Sequence, residues 1–98
     1  MTRELRFTPE TDADIARIHQ WYDAQSPARS RRFLGALELA LAFIVEFPEA
    51  GPVVLKDLRR VFLRRSTYAV YYRITESTIE IRGCLHSRRD PREWRSRA

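Results

Sequence analysis

The chain has 98 residues and a formal charge of +5, a length that holds one hydrophobic core rather than two. Apolar residues at 44% and aromatics at 11% exclude a chain that is disordered by default. A single cysteine excludes an internal disulfide framework, no Cys/His cluster has zinc-ligand spacing, and no apolar run approaches the roughly 20 residues that span a bilayer.

The elements follow in order. Residues 3–7 alternate as a short strand, with Leu5 and Phe7 on one side. Thr8-Pro9 then has the form of a helix N-cap followed by proline at the first helical position, and predicts a helix over 9–25. Glu10, Asp12 and Asp14 fall in its early turns, where the helix dipole favours them, while Ile15, Ile18, Trp21 and Tyr22 mark the buried stripe. Ser26-Pro27 repeats the start signal at once. A second helix is predicted over 27–47, with Phe33, Leu37, Ala40, Leu41, Ile44 and Phe47 on one face. The short junction folds the two helices into an antiparallel hairpin, and Pro48 ends the second.

Three β-rich runs follow at 58–64, 68–74 and 79–86, with residues 87–98 left as a basic tail. Pairing Ile74 with Ile79 puts Val70, Tyr72, Ile74, Ile79, Ile81, Gly83 and Leu85 on one sheet face, beneath the helices. Tyr71, Arg73, Glu80, Arg82, Cys84 and His86 then share the opposite, open face, with Tyr71 opposite Arg82 and Arg73 opposite Glu80. The expected fold is one α+β domain over residues 1–98: two layers in the order β-α-α-β-β-β, a helical hairpin packed on one face of a small, mainly antiparallel sheet.

Charge is divided unevenly over this frame. Residues 1–54 hold six Arg against eight acids, whereas residues 55–98 hold Lys56 and eleven Arg against five acids. Arginine supplies 17 of the 18 cations, and its planar fork binds phosphate or carboxylate in a way that a lysine ammonium does not. A basic open face is therefore expected to meet an acidic macromolecule. Trp94, in Asp90-Pro91-Arg92-Glu93-Trp94, is expected to anchor the tail by packing.

This order of elements resembles the ParE/RelE superfamily of toxins from bacterial type II toxin–antitoxin modules. The resemblance runs through Phe7-Thr8-Pro9-Glu10, Ser26-Pro27-Ala28-Arg29 with Arg32-Phe33-Leu34, and Glu46-Phe47-Pro48-Glu49-Ala50-Gly51. It continues in Tyr68-Ala69-Val70-Tyr71-Tyr72-Arg73 and Leu85-His86-Ser87-Arg88-Arg89-Asp90-Pro91, and so covers nearly the whole chain. It implies one of two activities. RelE-like members cut mRNA on the ribosome with side chains of the open face, whereas ParE-like members poison DNA gyrase. RelE-like nucleases place a cation directly after the tyrosine that opens the penultimate strand. Here Ala69 follows Tyr68, and a methyl group cannot stabilise charge on a transferring phosphate.

The ParE-like branch is therefore favoured. The resemblance implies a gyrase inhibitor with no catalytic residue, contacting its target through Arg60, Arg73, Arg82, His86, Arg88 and Arg89. It also implies a cognate ParD-like antitoxin, bound near Trp21, Leu34 and Phe43 in a hetero-oligomer. If the chain were instead an mRNA endonuclease, Arg82, His86, Arg88 and Arg89 would carry the chemistry, with His86 as acid or base. A non-toxic module that keeps only antitoxin or nucleic-acid binding is a third reading, and direct nucleic-acid binding is secondary in the first. No metal or organic cofactor is signalled. The opening Met1-Thr2-Arg3-Glu4 lacks the pattern of a secretory signal, so a cytoplasmic protein is expected.

Overall fold

Two proline-initiated helices occupy one face of a five-stranded sheet in the computed structural model, which describes residues 3–98. The elements are β1 (Glu4–Phe7), α1 (Pro9–Gln25), α2 (Pro27–Glu46), β2 (Val53–Leu55), β3 (Leu58–Phe62), β4 (Tyr68–Ile74), β5 (Thr78–His86) and α3 (Pro91–Arg95). Thr8 and Ser26 cap the two long helices, their hydroxyls accepting from the amides of Thr11 and Arg29. Ser26 is the whole junction: its amide closes α1 on the Tyr22 carbonyl while its side chain opens α2.

The strands lie in the order β1-β5-β4-β3-β2, antiparallel except that β1 runs parallel to β5. Two elements escaped the reading of the sequence. β2 is a three-residue edge strand without alternation long enough to register as a strand. α3 is a single turn, capped by Asp90 and opened by Pro91, inside what the charge density marked as a tail. Gly51, just before β2, is needed for close approach. A Cβ there would strike the Tyr72 hydroxyl, which donates to the Pro48 carbonyl at 2.7 Å and ties the end of α2 to β4.

The main core lies between the hairpin and the sheet, where Ile18, Phe33, Leu37, Ala40 and Ile44 meet Val70, Tyr72, Ile79 and Ile81. A second cluster on the opposite face gathers Leu58, Ala69, Tyr71 and Leu85 under Trp94 and Ala98. The open face is thus not bare, because α3 covers part of it.

The register also corrects the expected faces. Ile74 pairs with Ile79, Arg73 with Glu80 and Tyr72 with Ile81, but Tyr71 pairs with Gly83, leaving Arg82 as the extra residue of a β-bulge. One inserted residue reverses every later side chain, since the period of a strand is two. Cys84 accordingly enters the main core, and Leu85 joins the cluster on the opposite face. Burial beside Asp14 pushes the Cys84 thiol up to about 12, so it is inert.

The bulge sits where β1 ends and β5 loses its parallel neighbour. Side chains replace that neighbour. Thr11 donates its hydroxyl to the Ile81 carbonyl at 2.7 Å, and the Asp14 carboxylate accepts the Cys84 amide at 3.1 Å. Arg97 then donates to the Arg82 carbonyl at 2.8 Å, which binds the C-terminal segment to the same strand edge.

Candidate functional site

The residues expected to form one cationic surface are divided by the sheet. Arg60, Arg73 and Arg82 belong to the open face, but each is engaged there. Arg82 donates to Glu80 at 2.7 Å and to the Arg97 carbonyl, and Arg73 lies 3.8 Å from both Glu80 and Asp57. The Arg60 guanidinium lies 4.9 Å over the Phe62 ring and 5.8 Å from the Trp94 ring. Beneath it Trp94 stacks on Tyr71, with ring centres 5.7 Å apart and planes 11° from parallel. Burial raises the Tyr71 phenol, and the Arg60 charge opposes that rise. Ala69, fully buried, lies in this same cluster.

His86 is on the other side, because the bulge has reversed its direction. It meets the edge of the Tyr68 ring at 5.3 Å, in a groove of about 790 Å³ between α1, the end of β5 and the C-terminal segment. Trp21, Arg89, Asp90 and Glu93 line the same groove, with Asp14 and Arg97 at its floor. Both ring nitrogens of His86 are engaged: Nδ1 accepts the Arg88 amide at 3.3 Å, so Nε2 carries the hydrogen toward the Thr67 hydroxyl at 2.7 Å. Burial, and then the charges of Arg89 and Arg88, hold the imidazole below its ordinary value. The shift favours the neutral, hydrogen-bonded form of the ring.

A stability test follows from that shift. A proton binds His86 more weakly in the folded chain than in the unfolded one, so its contribution is full above about pH 6.5 and is lost as the pH falls further. Thermal melts at about pH 7.5 and about pH 5 are expected to show a smaller acid loss in His86→Gln than in the parent. An equal or larger loss would show that the imidazole is not held neutral by the fold.

The buried pair of Asp14 and Arg97 organises this end of the molecule. Arg97 grips the carboxylate through two nitrogens at 2.8 and 3.1 Å, and Arg17 adds a third contact at 3.0 Å. Asp14 is only 1% exposed. Its expected role at the positive end of the helix dipole is therefore replaced by one inside the fold. The signal was present, since the spacing Thr11, Asp14, Ile18 places Asp14 on the buried stripe of α1.

Trp21, Leu34 and Phe43 all lie exposed on the helical hairpin. They do not form one patch. Phe43 follows Leu34 by nine positions, which sets them on opposite flanks of α2 at 3.6 residues per turn. Phe43 instead pairs with Phe47 at 5.6 Å and continues toward Leu39, which the sequence reading passed over. Among the described residues, no group of three His, Cys, Asp or Glu side chains could hold a metal ion, and no helix is long and apolar enough to cross a membrane.

A helical hairpin on one face of a mainly antiparallel sheet, with a short third helix on the other, is a two-layer α+β fold of the RelE/ParE-like kind. The sequence model for the ParE toxin of type II toxin-antitoxin system, parDE, matches residues 5–91, and the chain belongs to that family. Toxin ParE2 of Mycobacterium tuberculosis, from strains CDC 1551 and H37Rv alike, is 27% identical over 92 residues, covering 93% of this chain and 88% of the relative. In the chromosomal ParDE TA system from P. aeruginosa, one solved chain matches with a TM-score of 0.75 at 17% identity, over 87% of this chain and 96% of that one. The E. coli DinJ-YafQ toxin-antitoxin complex contains another, at 0.59 and 10% identity, over 89% and 94%. These two likenesses are of fold.

Proposed function

We propose that this chain is a cytoplasmic toxin that inhibits DNA gyrase by binding, without covalent chemistry of its own, and that a cognate ParD-like antitoxin neutralises it. The observation that carries this reading is the occupied open face. Trp94 stacks on Tyr71 above the buried Ala69, at the position where a nuclease of this superfamily would carry its cation. Breaking an RNA phosphodiester needs an acid, a base and a cation around one phosphate. His86 and Arg82 point to opposite faces of the sheet, and Arg82 is spent on Glu80 and the tail.

Arg88 and Arg89, exposed where the sheet ends, are the target contacts this reading favours most, with Arg60, Arg73, Arg82 and His86 as flanking groups. The antitoxin is assigned to Trp21, Leu34 and Phe43. It must cross over α2 to reach all three, in keeping with a segment that folds as it binds.

Purified protein is expected to suppress supercoiling by gyrase and to accumulate cleaved plasmid that stays covalently linked to the enzyme. Addition of the antitoxin should restore supercoiling. Unchanged supercoiling at several-fold excess of folded protein would overturn the proposal.

A further inference from the structure

A second cationic feature lies apart from the open face and the His86 groove. Arg29 and Arg32 from the first turns of α2 face Arg64 and Arg65 from the β3–β4 turn across a cleft of about 290 Å³. Tyr22, Phe33, Ala36 and Leu63 form its apolar floor, no acidic residue lines it, and among the described residues none of the four arginines pairs with a carboxylate.

Two departures from local preference accompany this cleft. The first turn of α2 contains no acid, and Arg29, Arg31 and Arg32 crowd the positive end of its dipole, where cations are destabilising. Arg65 holds φ at 56°, a left-handed backbone that a non-glycine residue adopts at a cost. Departures from local preference gather where a surface has a task beyond folding.

We propose that this cleft is a phosphodiester site, by which the chain holds the backbone of a nucleic acid. Guanidinium forks arriving from two elements suit a tetrahedral phosphate, which offers oxygens on more than one side, whereas one fork already satisfies a planar carboxylate. The positive charge also continues past the cleft. Ser87 donates from its amide and hydroxyl to the Thr67 carbonyl at 2.9 and 3.0 Å, which joins the β3–β4 turn to the segment carrying Arg88 and Arg89. The result is a band of cations across the strand ends, the shape a polyanion requires. On α2 the exposed apolar residues Leu39 and Phe43, followed by Phe47 at the C-cap, lie toward the other end of the helix. The site needs neither gyrase nor the ribosome, and it stands whichever of them is the target.

Fluorescence anisotropy with a labelled DNA duplex, and with an RNA duplex of the same sequence, tests the site over a series of salt concentrations. Arg32→Gln with Arg64→Gln is expected to lower the slope of log affinity against log salt by about 2 and to weaken binding about tenfold. Arg6→Gln with Lys56→Gln removes the same charge elsewhere and should leave the slope unchanged. Tighter binding of either duplex identifies the natural source of the phosphate, and both cases support the site. An equal loss in the two double variants would show diffuse attraction and overturn the proposal. So would capture of a polyglutamate peptide without either duplex, or a fall in melting temperature in the Arg32/Arg64 variant, which would make these arginines structural.

Discussion

Asp14→Ala is expected to destabilise the fold by about 3 kcal/mol, the lower end of the range for breaking a buried ion pair. The substitution leaves the Arg97 guanidinium, 16% exposed in its side chain, without its carboxylate, and it removes the acceptor of the Cys84 amide. The lower end applies because Arg97 keeps the Arg82 carbonyl as a partner and its side chain is not wholly buried. Against a total stability of about 5–15 kcal/mol, this is a large fraction, equivalent to a fall in melting temperature of roughly 15 °C. Asp14→Asn keeps an acceptor for Cys84 and should cost less. Urea unfolding followed by circular dichroism measures both. A loss below about 1 kcal/mol for Asp14→Ala would mean that the pair does not hold the strand edge at the bulge.

Trp94→Ala is expected to cost about 2 kcal/mol, less than a fully buried tryptophan because part of the ring faces solvent. Its local effect should be larger than that figure suggests. A five-residue helix has no stability of its own, so α3 depends on packing against Tyr71 and Leu85. Hydrogen exchange in Trp94→Ala should show lost protection over residues 92–98 while the β4–β5 ladder remains protected. Because Arg97 lies on the same segment, Asp14→Ala and Trp94→Ala should be less than additive. Full additivity, or an unchanged tail, would show that α3 and the ion pair are independent.

Much of the architecture was legible in the sequence, for local physical reasons. Thr8-Pro9 and Ser26-Pro27 announce both helices because cap and proline satisfy the same unpaired amides that begin any helix. The alternation on either side of Thr75–Thr78 gives the hairpin register correctly as far as Tyr72 and Ile81. Beyond that point it fails. The bulge at Arg82 is imposed by the end of β1 and by the side chains of Thr11, Asp14 and Arg97, which come from distant parts of the chain. No local pattern announces it. His86 and Cys84 were therefore placed on the wrong face, and the expected cationic surface joined residues that the sheet keeps apart.

The cover over the open face was missed for a related reason. High charge over residues 87–98 suggests a solvated tail, yet Asp90-Pro91 is a helix start like the other two, and Trp94 follows at the spacing that turns it inward. Trp94 was expected to anchor the tail, but its partner Tyr71 was not foreseen. The cleft between the arginines at 29 and 32 and those at 64 and 65 was not foreseen because two separate elements supply them, and only the packing of α2 over the β3–β4 turn brings them together.

The claim on which the account turns is that a toxin built this way acts on gyrase and leaves RNA intact. The direct measurement is to induce the chain in growing cells and, from the same early samples, to quantify gyrase covalently bound to DNA and to map the ends of ribosome-associated transcripts. The account predicts that covalent gyrase–DNA complexes rise first, with transcript ends unchanged and translation continuing. New transcript ends at codon boundaries, appearing before any such complex and lost in His86→Ala, would contradict it.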